Sequence, residues 1–182
     1  MALLPYLKKE QLPPADQDAV LLPMHIYELL AHNPETARAM IGLGSHIRVG
    51  KTLGEYLKEM LILQVGFTTG CAYEYSHHLK IAERDGIAEK DIHAVARETA
   101  GETTHLDERT RLGLKAAREI TTSLRCSDDT SAALLKHYSP EQLIDLTVTV
   151  GFYNMIVRFL ETLRIDVEEA YLPYLKKYPL AA

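Results

Sequence analysis

Between its glycines and prolines the chain repeats apolar side chains at intervals of three and four residues and nowhere sustains strict alternation. That spacing turns one stripe of each segment toward a core with a period near 3.6, so the expected fold class is all-α. The punctuation sets the segments. A first helix is expected over about Asp16 to Ala31, and a second opens at Asn33-Pro34, an N-cap followed by proline at the first helical position. Thr52 and Glu55 are spaced as a capping box for a third, whose Leu57, Met60, Leu61 and Leu63 lead to Gly66 before Gly70 breaks the run. A fourth ends at Gly86 and a fifth covers about Glu89 to Thr99. After a polar turn, Thr104 is expected to start a longer helix through Leu106, Leu112, Leu114, Ala117 and Ile120. Ser127 caps a short helix to Tyr138, and Ser139-Pro140-Glu141-Gln142 is a capping box opening a last helix to about Leu163. That last helix is apolar around most of its circumference, which suits burial in a core or between subunits.

With 182 residues, 47% of them hydrophobic, the chain can bury one sizeable core, and one domain over 1–182 with its core at 16–167 is expected. A net charge of −5 with Lys and Arg scattered among Asp and Glu provides no footprint for nucleic acid. The N-terminus lacks the apolar stretch of a signal peptide, and no run reaches the roughly 18 uninterrupted apolar residues of a membrane span. Two cysteines, Cys71 and Cys126, are too few for a disulfide framework, which points to a reducing compartment and hence the cytoplasm. The hexapeptide LPYLKK occurs at 4–9 and again at 172–177 and carries no functional expectation.

The densest chemistry lies in TGCAYEYSHHLKIA, residues 69–82. At about 100° per residue, Glu74 and His78 fall within roughly 60° of Cys71, with Tyr75 beside them and Tyr73 and His77 turned away, His77 toward solvent or another helix. The face admits four readings. It is a solvated polar edge, an acid–base pair, a thiol activated at a helix N-terminus, or a metal site. For metal, Glu74-x-x-His77 and Glu102-x-x-His105 match the spacing of di-iron bundles, but the second straddles a turn, so no metal is expected.

From about Leu53 to Val167 the chain resembles the carboxymuconolactone decarboxylase and AhpD-like alkylhydroperoxidase superfamily. The likeness rests on LKEMLILQV at 57–65, TGCAYEYSHHLKIAERDGI at 69–87 and VGFYNMIVRFLETL at 150–163. It implies an AhpD-like helical bundle assembled as a homo-oligomer, commonly a trimer or hexamer. The peroxidase branch carries Cys-x-x-Cys-x-x-x-His with a glutamate twelve residues before the first cysteine. Cys71, His78 and Glu59 match that pattern, but Glu74 stands at the second cysteine, and a carboxylate cannot resolve a sulfenic acid into a disulfide. The decarboxylase branch has Glu-x-x-x-His here, which Glu74 and His78 keep, and acts on a small unsaturated lactone acid by proton transfer without metal or organic cofactor. The resemblance therefore implies a small lactone, carbonyl or carboxylate substrate. His78 would transfer the proton, Glu74 would tune or share it, Glu59 would orient the pair and Tyr75 would line the pocket. Asn154 and Arg158 share a face of the last helix. Arg158 pairs with Glu161 or another carboxylate, or else holds a substrate carboxylate. A thiol-dependent peroxidase using Cys71 and a non-catalytic helical oligomer are the alternatives.

Overall fold

A computed structural model describes residues 1–180, and among these every regular element is helical and none is a strand. The α-helices are α1 (His25–Leu30), α2 (Pro34–Val49), α3 (Glu55–Thr69), α4 (Ala72–Arg84), α5 (Glu89–Thr99), α6 (Glu108–Ser123), α7 (Asp128–His137), α8 (Pro140–Leu163) and α9 (Leu172–Lys177). Asn33, Ser127 and Ser139 cap α2, α7 and α8 through their side chains, as their spacing predicts.

The axis of the bundle is α3. Every residue from Leu57 to Gly66 is buried, and α4, α5, α6 and α8 pack around it. Only a helix apolar on nearly all sides can occupy that position. The sequence suggested α8 for it, but α8 buries one side through Leu146, Val150, Tyr153, Val157 and Leu160 and leaves Ile144, Val148 and Met155 exposed. By length and composition α8 alone among the described helices could cross a membrane, yet half of its apolar window is buried against the bundle.

Three local expectations fail for physical reasons. Asp16 to Ala31 is not one helix: Pro14–Ala19 forms a 3-10 turn and α1 starts only at His25. Pro23 accounts for the break, because it lacks an N–H and drives Leu22 out of the helical region. The Thr52 capping box does not form, since Gly54, at φ 76°, is the residue that precedes α3. Thr104 does not start α6: its N–H and hydroxyl donate to Glu98, and Asp107 caps the helix at Thr110 instead. The two LPYLKK copies differ in shape, the first irregular until a 3-10 turn at Lys9 and the second forming α9 against α4.

Two residues join α3 to α4. The Cys71 N–H bonds the Gly66 carbonyl and the Gly70 N–H bonds that of Phe67, with Gly70 at φ 67°, a Schellman closure. Gly66 also lets α4 approach closely, since a Cβ there would lie 3.1 Å from the Tyr75 backbone. The tight hairpin sets Glu59, eleven residues before the turn glycine, opposite His78, eight residues after it. Gly70→Ala should cost about 1–2 kcal/mol, the penalty of a left-handed L-residue, read as a lower urea midpoint. An unchanged midpoint would remove the turn from this account.

Candidate active site

His78 bridges two carboxylates. Its Nδ1 lies 2.7 Å from Glu59 Oε2 on α3, and its Nε2 lies 3.0 Å from Glu74 Oε1, one turn earlier on α4. All three side chains are buried, at 4 to 6% exposure. A bare ring nitrogen facing a carboxylate oxygen at such a distance would set lone pair against lone pair, so a proton belongs in each contact. Nδ1–H donates to Glu59, and the second proton lies between Nε2 and Glu74. Burial opposes a charged ring, but the charge and hydrogen bond of Glu59, then those of Glu74, outweigh it and raise His78 to about 10. Tyr153 of α8 meets the imidazole edge-on at 5.0 Å, and its own burial holds its hydroxyl protonated.

Glu74 and His78 open onto a cavity of about 850 Å³, and Glu59 backs them from α3. That size lies within the range of small-molecule sites. Tyr73, His77 and Ile81 complete the α4 wall, Phe152, Tyr153 and Ile156 form the α8 wall, and α1 and α2 close the side opposite with Ile26, Tyr27, Met40 and Arg48.

Residues 34–119 match the carboxymuconolactone decarboxylase family, a span that contains Glu59, Glu74 and His78. A crystal structure described as a putative antioxidant defence protein AhpD from Agrobacterium tumefaciens superposes with a TM-score of 0.68 at 24% identity, over 75% of this chain and 93% of the other. An alkylhydroperoxidase AhpD core from Ralstonia eutropha JMP134, described as an uncharacterized peroxidase-related protein, gives 0.80 at 16% identity over 99% and 98%. Over residues 34–119 the chain is thus similar to the carboxymuconolactone decarboxylase family, and its fold is that of the AhpD-like proteins. A cysteine-to-alanine form of the debrominase Bmp8, in complex with 2,3,4-tribromopyrrole, shares the fold with a TM-score of 0.82 at 22% identity, over 97% of each chain. No curated protein matches the sequence.

Against the superfamily pattern, the residues expected at the site divide into two groups. Glu59, Glu74 and His78 come together. Cys71, Tyr75, Asn154 and Arg158 do not line the cavity. Cys71 is fully buried in the apolar cluster between α3 and α8. Burial pushes its thiol up, the Glu74 backbone N–H opposes this, and the nearby Glu161 and Glu74 carboxylates reinforce it. The helix N-terminus therefore yields no thiolate. Tyr75 packs on the opposite side of α4, edge-on to Phe67 at 5.7 Å. Arg158 donates to the Asn154 carbonyl and Oδ1, both at 2.7 Å, and Asn154 donates to Thr121. The guanidinium is thus held within its own helix rather than by Glu161, away from the cavity. The reason is phase: Glu74 and His78 sit on the border between the arc of α4 that meets the core, with Cys71 and Tyr75, and the arc that meets the cavity, with Tyr73, His77 and Ile81. On α8 the cavity takes Tyr153, while Asn154 and Arg158 lie roughly 100° or more around the helix. Glu102 pairs with Arg97 and His105 with Asp91, and among the described residues no cluster of three metal-ligating groups forms.

His77, expected to face solvent or another helix, lines the cavity and is 5% exposed. It stacks between Tyr73 and Tyr171 at centroid distances of 4.0 and 3.6 Å. Its Nδ1 donates to the Tyr73 carbonyl at 2.8 Å, and its Nε2 lies 3.1 Å from Glu168 Oε2. Burial disfavours the Glu168 carboxylate, but His77 and the His25 N–H hold it down to about 2. Through this ion-pair contact His77 ties the segment after α8 across the cavity mouth. Nothing in the pattern of α4 signals a partner ninety-one residues away.

The two histidine sites imply opposite pH limits. Glu168, depressed from 4.5 to about 2, adds stability that is present above 4.5 and lost as pH falls through about 2. His78, raised from 6.5 to about 10, adds stability that is full below 6.5 and lost as pH rises through about 10. The urea midpoint should therefore decline between pH 7 and 10, and decline less in His78→Gln. A midpoint that falls equally in both proteins would remove His78 as the cause.

Proposed function

We propose that the chain is an acid–base enzyme of the carboxymuconolactone decarboxylase type, moving a proton at a carbon next to a carbonyl in a small organic substrate. The observation that supports this reading most is that the His78 imidazole is held between two buried carboxylates at 2.7 and 3.0 Å, with one of them, Glu74, facing a cavity.

In this reading Glu59 is a positioning residue that fixes the Nδ1–H tautomer. A C–H bond beside the substrate carbonyl, or a C–CO₂ bond, breaks and leaves its electron pair in the carbonyl as an enolate. Tyr153 donates a hydrogen bond to the enolate oxygen. In the first case Glu74 accepts the proton; in the second, the proton held between His78 Nε2 and Glu74 is delivered to the carbon and regained from water. Such a positioned group contributes about 10²- to 10⁴-fold. A peroxidase reading has less support, because Cys71 is shut away from the cavity and carries a raised pKa.

A panel of lactone acids and β-keto acids in D₂O tests the assignment by mass spectrometry of deuterium incorporation and by CO₂ release. Wild type and Cys71→Ala should act alike, and Glu74→Gln should lose about 100-fold or more. Loss of activity in Cys71→Ala with retention in Glu74→Gln would reverse the assignment in favour of the thiol.

A further inference from the structure

Among the described residues the cavity holds one cation without a partner. Of the basic side chains along its wall, Lys80 lies over the Tyr171 ring at 4.7 Å and Arg84 pairs with Asp85 at 2.7 Å. Among the described residues the Arg48 guanidinium makes no hydrogen bond or ion pair, though its carbonyl accepts from the buried Lys58 ammonium at 2.5 Å. Lys58 thus clamps the end of α2 to α3 and fixes the backbone beneath Arg48. The Tyr27 hydroxyl also lacks a partner among these residues, lines the same cavity, and lies within the fields of both Arg48 and Glu74.

Much of the remaining wall is apolar, with Ile26, Met40, Ile41, Phe152 and Ile156 facing the space. About 850 Å³ is far more than a four- or five-carbon acid fills, and a cavity of that size suits a drug-sized ligand. An anionic group on that ligand would be repelled by the Glu59, His78 and Glu74 triad, whose two carboxylates outnumber its one imidazolium. It would be drawn instead to Arg48, whose planar fork suits a carboxylate.

We propose that the cavity binds an amphiphilic carboxylic acid, its carboxylate on the Arg48 guanidinium and the Tyr27 hydroxyl and its hydrocarbon body against Ile26, Met40, Phe152 and Ile156. This rests on the acid–base reading only for where the reacting carbon lies, beside Glu74. The hydrocarbon is held by burial, at about fourfold in affinity per methylene when fully enclosed. The carboxylate supplies the orientation.

Calorimetric titration of the full chain at pH 7.5 with octanoate, octan-1-ol and butyrate tests both halves. Octanoate should bind at least tenfold more tightly than either of the others. Arg48→Met should lose tenfold or more for octanoate while leaving octan-1-ol within twofold, and Arg48→Lys should retain part of the loss. Arg48 is exposed, so these variants should fold as the wild type does. Equal binding of octanoate and octan-1-ol, or an unchanged octanoate affinity in Arg48→Met, would overturn the ligand class. Glu74→Gln should bind octanoate at least as tightly as the wild type, so the ligand class and the catalytic assignment fail in separate measurements.

Discussion

A charged imidazole between two carboxylates, all three sheltered from water, is the contact on which the arrangement of this protein turns. Removing three charges from water is costly, and the mutual attraction repays that cost only when geometry is good and every proton has an acceptor. Contacts of 2.7 and 3.0 Å meet that requirement, and the first, between Glu59 of α3 and His78 of α4, leaves the two helices little freedom to slide. The Schellman turn at Gly70 and the close approach at Gly66 supply the fixed register. The same buried charges explain why α3, the most enclosed helix in the bundle, carries Glu59 within its buried stretch rather than another leucine.

Burial also separates the two chemistries that the sequence leaves side by side. Cys71 and Glu74 are neighbours on one helix, three residues apart, yet a small rotation around the axis sends the thiol into apolar packing and the carboxylate to the cavity wall. In the apolar interior the thiol keeps its proton, and a thiol that keeps its proton is a poor nucleophile. His78 is in the same interior, but the two carboxylates that flank it raise its pKa, so the ring holds a charge there.

Much of this was legible in residue pattern. The all-helical class, the caps at Asn33, Ser127 and Ser139 and the grouping of Glu59, Glu74 and His78 follow from local spacing together with the family motif. What could not be read depends on neighbours distant in the chain. Tyr75 and His77 exchange their expected surroundings because helical phase gives relative angles and not which arc meets the core. Arg48 and Tyr27 bear no motif, Tyr153 sits in the last motif without a role that its spacing reveals, and only the packing of α1, α2 and α8 brings them to one space. Glu168 reaches His77 from beyond the last long helix, a pairing that depends on where the tail lies. The two copies of LPYLKK make the same point at the level of backbone, since identical residues take different shapes against different partners.

Nitrogen-15 NMR of the His78 ring at pH 8 tests the central contact most directly. The account predicts that both ring nitrogens carry protons at that pH, each N–H shifted downfield by its carboxylate. A neutral ring with one bare nitrogen would contradict it.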